Sequence, residues 1–277
     1  MEIAMVAGAR ALAWQRGEHG PISVQQKPGG AGPVTQADQE TEALIVKRIR
    51  ERFPSDDIVG EESGHHRGRA HARRWLIDPI DGTRDFAAGG PDWAVHLGLC
   101  EGGAVTMGVV FQPRAARLTW GILRGDPRAG VVEGVVEGEE SAAQPLRAAP
   151  AETRPWRVVT SHVGRSLRTE KMVTKLVRST HRPLRAGSTG VKLSMLARNL
   201  ADIYLYAEPK TRVWDTCAPM AAVLAVGGVV TDLRGAPLSH DDPDAPHLHG
   251  ILAGRSAEAH AWALARLLRE GSTSPGP

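Results

Sequence analysis

The feature that most constrains this chain is the run Trp75-Leu76-Ile77-Asp78-Pro79-Ile80-Asp81-Gly82-Thr83. Trp75 to Ile77 is apolar and reads as a short buried strand. It ends in two carboxylates, Asp78 and Asp81, with a proline between them. Pro79 fixes its own φ and biases Asp78 toward an extended conformation. The strand is therefore expected to deliver Asp78 and then turn, bringing Asp81 back toward the same point. Gly82 permits close backbone approach, and Thr83 has the side chain of a helix N-cap. Two carboxylates this close repel unless a cation sits between them. Oxygen-only ligands suit a hard cation such as Mg2+, and free amides at a turn suit a phosphate. A strand followed by an Asx-type turn explains the same residues without an ion, so the rest of the chain must decide.

Further acids stand where elements begin or end. Asp38 follows Val34-Thr35-Gln36-Ala37 and opens an amphipathic helix whose apolar positions are Ala43, Leu44, Ile45, Ile49 and Phe53. It reads either as the N-cap of that helix or as a carboxylate aimed at a metal or a water. Ile58-Val59-Gly60-Glu61-Glu62-Ser63 reads as a strand with acids at its end, and alternation lets only one of Glu61 and Glu62 face a given site directly. Lys27, in the loop Lys27 to Pro33, reads as a solvated lysine, although it can reach a phosphate. Gly64 to Arg74 is rich in His and Arg and has no cysteine near it, so it reads as a solvated loop rather than a metal site.

The remaining pattern suggests two halves. Residues 1–150 hold two helices and several strands, with Trp93 to Cys100 and Ala104 to Gln112 as a hairpin and Leu118 to Leu123 as a third strand. This half is expected to be an α+β domain built on an antiparallel sheet. Residues 151–270 alternate strands and helices, as in an α/β domain, and 271–277 is expected to be a disordered tail. Trp214-Asp215 opens an apolar helix closed by Gly227-Gly228, which places Asp215 at a helix start in the second half.

Composition narrows the function classes. No apolar run approaches the roughly 20 residues that span a bilayer, so no membrane partner is expected. The net charge of +3 comes without a basic stripe carrying interleaved aromatics, so nucleic acid is not an expected partner. The first residues carry Glu2 and no long apolar core and do not read as a signal peptide. Cys100 and Cys217 are the only cysteines and lie far apart in sequence. No disulfide framework is suggested, and a cytoplasmic location is expected.

Taken together, Gly60-Glu61-Glu62-Ser63, Trp75 through Thr83, and Trp214-Asp215 with its helix and Gly227-Gly228 resemble the inositol monophosphatase superfamily of metal-dependent, lithium-sensitive phosphatases. The order and spacing match over nearly the whole chain. The resemblance implies a layered α-β-α-β-α sandwich. It implies that Glu61, Asp78, Asp81 and Asp215 bind Mg2+, two or three ions per site, with the Ile80 carbonyl as a further ligand. It also implies that Asp38 and Thr83 orient and deprotonate the attacking water, with Glu61 counted among the catalytic groups, and that the amides of Gly82 and Thr83 hold the substrate phosphate.

Within that superfamily, Trp214-Asp215-Thr216-Cys217-Ala218-Pro219, Thr160-Ser161-His162 and Gly187-Ser188-Thr189-Gly190-Val191-Lys192 look most like the 3'(2'),5'-bisphosphate nucleotidases. By that resemblance Ser161 and His162 meet the nucleotide, Ser188 lines its site and Lys192 binds the second phosphate. His162 as a helix cap and Lys192 as a solvated helix lysine are the alternatives. The implied reaction is hydrolysis of the 3'-phosphate of adenosine 3',5'-bisphosphate to AMP and phosphate. An inositol or sugar phosphate phosphatase of the same fold is the alternative enzyme, and a non-catalytic phosphate binder the alternative class. The partner is a small phosphate ester, with a homodimer as the oligomer to test. Val191 stands where the nucleotidases carry more polar residues, and the loop from Gly64 to Arg74 is unusually basic.

Overall fold

The computed structural model describes residues 1–27, 32–69, 73–134, 142–148, 155–162, 166–177 and 182–268. The expected boundary at 149–154 and the expected tail at 271–277 lie outside them. Helix α1 (Glu2–Gln15) leads to the short antiparallel ribbon of β1 (Val24–Gln26) and β2 (Pro33–Thr35). Helix α2 (Gln36–Arg52) follows, then β3 (Asp57–Gly60), β4 (Gly64–His66), β5 (Arg73–Asp81) and the short helix α3 (Thr83–Ala87). Strands β6 (Ala94–Glu101), β7 (Ala104–Gln112), β8 (Arg117–Ile122), β9 (Arg128–Glu133) and β10 (Gln144–Leu146) complete an eight-stranded sheet in the order β10-β9-β8-β7-β6-β5-β3-β4.

The second half contains β11 (Val158–Ser161), α4 (Leu167–Leu176), β12 (Leu184–Ala186), α5 (Thr189–Ala197), β13 (Ile203–Tyr206), α6 (Val213–Ala225), β14 (Val229–Thr231), β15 (Ile251–Gly254) and α7 (Ala257–Leu268). Its five strands form one mixed sheet in the order β12-β11-β13-β15-β14.

Apolar faces set the layers. Ile3, Ala7 and Trp14 of α1 and Ile45 and Ile49 of α2 pack with Ile58, Trp75, Ile77, Val95 and Leu97 of the large sheet. On the far side of the small sheet, Val173 and Leu176 of α4 and Ala259 and Ala263 of α7 pack with Val158, Ile203, Leu205 and Leu252. Helices α5 and α6 lie between the sheets, through Leu193, Leu196, Ala222 and Val223 on one side and Ala218 and Val191 on the other. The result is the expected five-layer α-β-α-β-α sandwich.

Helix α6 approaches the large sheet closely because the sheet offers glycines there. Gly98, Gly108 and Gly121 stand opposite one another across β6, β7 and β8. A Cβ on Gly98 would overlap the Cys217 sulfur, one on Gly108 the Ala218 carbonyl, and one on Gly121 the Ala221 backbone. Both partners are small, so the backbones meet with little between them.

Several sequence expectations are corrected. Trp75–Ile77 is the middle of the nine-residue strand β5, which runs through Pro79 to Asp81. The pairing with β6 shifts register between Asp78 and Asp81, and that irregularity absorbs the proline's missing N–H. The large sheet is not wholly antiparallel, because β3 and β5 run parallel. The basic segment from Gly64 is not all loop: Gly64–His66 pairs with β3, Arg73 and Arg74 open β5, and residues 70–72 lie outside the described ones. Ala43 is exposed rather than core, since the buried face of α2 runs through Ala37, Asp38, Thr41, Glu42, Ile45 and Ile49. Cys100 and Cys217, distant in sequence, are free thiols whose sulfurs lie 3.3 Å apart in the interior. Among the described residues no helix is long and apolar enough to cross a membrane.

Candidate active site

Parallel pairing of β3 with β5 places their C-terminal ends side by side. Gly60 is in register with Ile77, and the Glu61 N–H donates to the Ile77 carbonyl at 3.1 Å. Glu61 therefore emerges next to Asp78. Asp215 arrives from the other half, at the first turn of α6, where its Oδ2 accepts from the Arg212 N–H at 2.6 Å. One carboxylate oxygen from each of Glu61, Asp78 and Asp215 lies within 4.8 Å of the others. Asp78 is fully buried, and burial, then Glu61, then Asp81 push its carboxyl well above the ordinary range. Asp215 is pushed up in the same way, by burial first and then by Glu61 and Asp81. The cluster crowds three carboxyl groups together, and that crowding favours protons or a cation among them.

Asp38 is not the N-cap of α2. Thr35 is, and Asp38 occupies the third helical position in a reciprocal capping box. Its Oδ2 accepts from the Thr35 N–H at 2.7 Å and the Thr35 hydroxyl at 2.6 Å. Its Oδ1 lies 3.3 Å from the Thr83 hydroxyl, which is also 3.1 Å from the Ile80 carbonyl. Burial pushes the Asp38 carboxyl up to about 6, against the pull of its Thr35 hydrogen bonds. Asp38 thus serves the capping box with one oxygen and meets Thr83 with the other. Thr83 opens α3 but does not cap it; Gly82 does, with φ +96, and a Cβ there would stand 2.9 Å from the Asp92 carbonyl.

Lys27 is not solvated. Its Nζ lies 2.6 Å from Glu61 Oε1 and 2.7 Å from Glu62 Oε1. Against the desolvation that burial imposes, the two carboxylates hold its ammonium above the ordinary lysine range. Both glutamates face the same lysine because β3 ends at Gly60 and they lie in a turn, where strand alternation no longer applies. That turn is clamped from below by the buried Glu42, which accepts from the Glu62 N–H at 2.9 Å and the Ser63 N–H at 2.6 Å.

Asp81 sits beside the cluster and faces α5. Its Oδ2 accepts from the Ser188 hydroxyl and, at 2.9 Å, from the Gly190 N–H. The ring of the buried His96 stands 3.3 Å away. Ser188 is also the N-cap of α5. Lys192 is not a solvated helix lysine: it is 1 % exposed, and its Nζ donates to Ser161 Oγ at 3.0 Å and to the Gly187 carbonyl. Burial lowers it to about 8, opposed by Asp81, Asp92 and Asp215. His162 does not cap a helix; Ser166 caps α4. Instead its Nε2 lies 3.0 Å from Asp85 Oδ1 and its Nδ1 3.6 Å from Asp92 Oδ2. Asp38, Glu61, Asp78, Ile80, Asp81, Gly82, Thr83 and Asp215 thus share one region, with Ser188, Lys192, Ser161 and His162 along its α5 side. Sequence reading did not single out Glu42, Asp85, Asp92 or His96. Glu42 alone left a trace, standing four residues after Asp38 on the same helical face.

Comparison with known proteins places the chain in one family. The model of the inositol monophosphatase family matches residues 2–272. The Nus factor SuhB of Xylella fastidiosa is 31% identical over 228 residues, covering 82% of this chain and 79% of that protein. The 3'-phosphoadenosine 5'-phosphate phosphatase of Mycobacterium leprae is 31% identical over 230 residues, covering 79% and 76%. In three dimensions, the extragenic suppressor protein SuhB of Bartonella henselae superposes with a TM-score of 0.75 at 23% identity, over 97% of this chain and 96% of that one. The chain belongs to the inositol monophosphatase family. Within it, it is a phosphoric monoester hydrolase.

Proposed function

We propose that the protein is a Mg2+-dependent phosphatase that removes the 3'-phosphate of adenosine 3',5'-bisphosphate, leaving AMP and phosphate. The observation that carries the phosphatase reading is the meeting of Glu61, Asp78 and Asp215 within 4.8 Å, beside the Asp38–Thr83 pair. The donor set is all oxygen, which suits a hard divalent cation. The ammonium of Lys27 against Glu61 shows that the fold places positive charge there. Glu61, Asp78, Asp81, Asp215 and the Ile80 carbonyl would hold Mg2+, which supplies charge neutralisation at the phosphoryl group and acidifies water. Asp38 is the base. Its Oδ1 receives the proton of the attacking water through or beside the Thr83 hydroxyl, while Thr35 holds its Oδ2 fixed. The amides of Gly82 and Thr83 hold the phosphate.

The substrate rests on the nucleotidase-like segments around Ser161, Ser188 and Lys192 and on relatives named as 3'-phosphoadenosine 5'-phosphate phosphatases. One observation favours an inositol or sugar phosphate instead. Lys192 and His162, the expected nucleotide contacts, already have internal partners in Ser161, Gly187, Asp85 and Asp92. A panel of phosphate esters assayed with Mg2+ decides. Release from adenosine 3',5'-bisphosphate should far exceed release from inositol 1-phosphate and fructose 1,6-bisphosphate. Equal or reversed rates would remove the nucleotide, and an Asp81→Asn variant with undiminished turnover would remove the assigned site.

A further inference from the structure

His96 lies in the middle of β6, opposite Asp78 of β5, and is 0 % exposed. Neither ring nitrogen has a strictly aligned hydrogen bond, although a backbone group of Trp214 lies within hydrogen-bonding reach of the ring. A buried imidazole without such partners is unusual, because the polar groups it gave up in water are not replaced. The ring is nevertheless not free to turn. Its Nε2 stands 3.3 Å from Asp81 Oδ2, and the backbone of Trp214, the residue before Asp215, faces it. From the other side α5 presses on it, and a Cβ on Gly190 would overlap its Nε2. Position 190 therefore has to be glycine for this histidine to fit.

Three groups converge on a single oxygen of Asp81: the Ser188 hydroxyl, the Gly190 N–H and His96 Nε2. Ser188 and Gly190 come from α5 in the second half, and His96 comes from the large sheet. All three meet Oδ2, and none of them engages Oδ1. Hydrogen bonds behind a ligating carboxylate fix its rotamer and raise its usefulness as a ligand, and they are often long before the ligand arrives.

We propose that His96 is a positioning residue of the cation site: as an Nε2–H donor wedged between Gly190 and Asp81, it holds the Asp81 carboxylate in its ligating orientation. This rests on the reading that Asp81 helps to hold Mg2+. His96 touches neither substrate nor water and acts only through Asp81.

The test is Mg2+ binding to metal-free protein, followed by isothermal titration calorimetry, for wild type, Asp81→Asn, His96→Leu, His96→Gln and Gly190→Ala. The glutamine keeps an N–H donor near the same place, and the leucine keeps bulk only. His96→Leu should weaken Mg2+ binding by about 10–100-fold. At saturating Mg2+, its KM for the phosphate ester should stay within about threefold of wild type. His96→Gln should recover most of the loss, and Gly190→Ala, which pushes the ring away, should reproduce it. Melting temperatures of the metal-free variants give the folding control; should the leucine variant not fold, the glutamine and alanine variants carry the comparison. Wild-type affinity in His96→Leu, or an equal loss in His96→Gln, overturns the positioning role while Asp81→Asn still shows a weakened site. A wild-type protein that takes up no Mg2+ overturns the cation site itself, and the inference with it.

Discussion

The ammonium of Lys27 lies 2.6 Å from Oε1 of Glu61. The chain thus brings its own cation to the edge of the acidic cluster, from a segment whose glycine and proline content made it look like solvent-facing loop. Replacing Lys27 with Met should cost the metal-free protein about 1–2 kcal/mol, between the values for exposed and buried pairs. That corresponds to roughly 2–6 °C in melting temperature. Millimolar Mg2+ should erase most of the difference, because it supplies the missing charge. Thermal melts with and without a chelator check this; an equal loss in both would show that Lys27 only packs.

Asp38→Asn should lower kcat by about 10²–10⁴-fold, the range for removing a general base. Mg2+ affinity measured by calorimetry should move far less than kcat, since Asp38 is not among the proposed ligands. The carboxyl of Asp38 sits at about 6, so the wild-type rate should fall as pH drops through that value. A rate unchanged between pH 7 and pH 5 would rule Asp38 out as the base.

The metal-free protein should lose stability as pH rises. Asp78, Asp215 and Asp38 all have folded carboxyls held above their ordinary 3.8, so the folded protein keeps protons that the unfolded chain releases. The unfolded state then binds fewer protons, and the free energy of unfolding falls with pH. This contribution is complete below 3.8 and is lost as pH passes upward through the folded values. With Mg2+ the trend should invert, because the cation requires the carboxylates ionised. Melts from pH 4 to pH 8, with chelator or with Mg2+, would display opposite slopes; parallel slopes would contradict a cation at the cluster.

Gly108→Val should destabilise the protein by about 1–3 kcal/mol, as overpacking does. A side chain there would strike the Ala218 carbonyl and lift α6 from the sheet. Because α6 also carries Asp215, the variant should need more Mg2+ for half-maximal activity. A stability loss without any change in Mg2+ demand would mean that the helix tilts elsewhere and Asp215 stays in place.

The acids of the site were legible because each stands beside a mark of local structure: Asp78 and Asp81 around Pro79, Glu61 after Gly60, Asp215 at the head of an apolar helix. The order of apolar runs pointed to an α+β half and an α/β half, and the five layers came only with the family resemblance. What stayed hidden depends on contacts between segments distant in the chain. Glu42 hides on a helical face that is buried although it is charged. Lys27 and Glu62 required knowing that β3 stops one residue before Glu61. Asp85 of α3, Asp92 and His162 at the end of β11 meet only once the two halves are packed together. His96 alternates correctly within an apolar strand, and nothing along the sequence says that Asp81 and Gly190 will close around it. The strand that continues through Pro79 was misread because proline ordinarily stops one, and the register shift that accommodates it involves a neighbouring strand.

Gly98, Gly108 and Gly121 let α6 meet the main chain of the large sheet on three neighbouring strands. Any side chain at these three positions would strike Cys217, Ala218 or Ala221 and push away the helix that carries Asp215. On the proposed reading, a change of ester would fall to Ser161, His162 and Lys192, none of which supplies the atoms nearest those glycines.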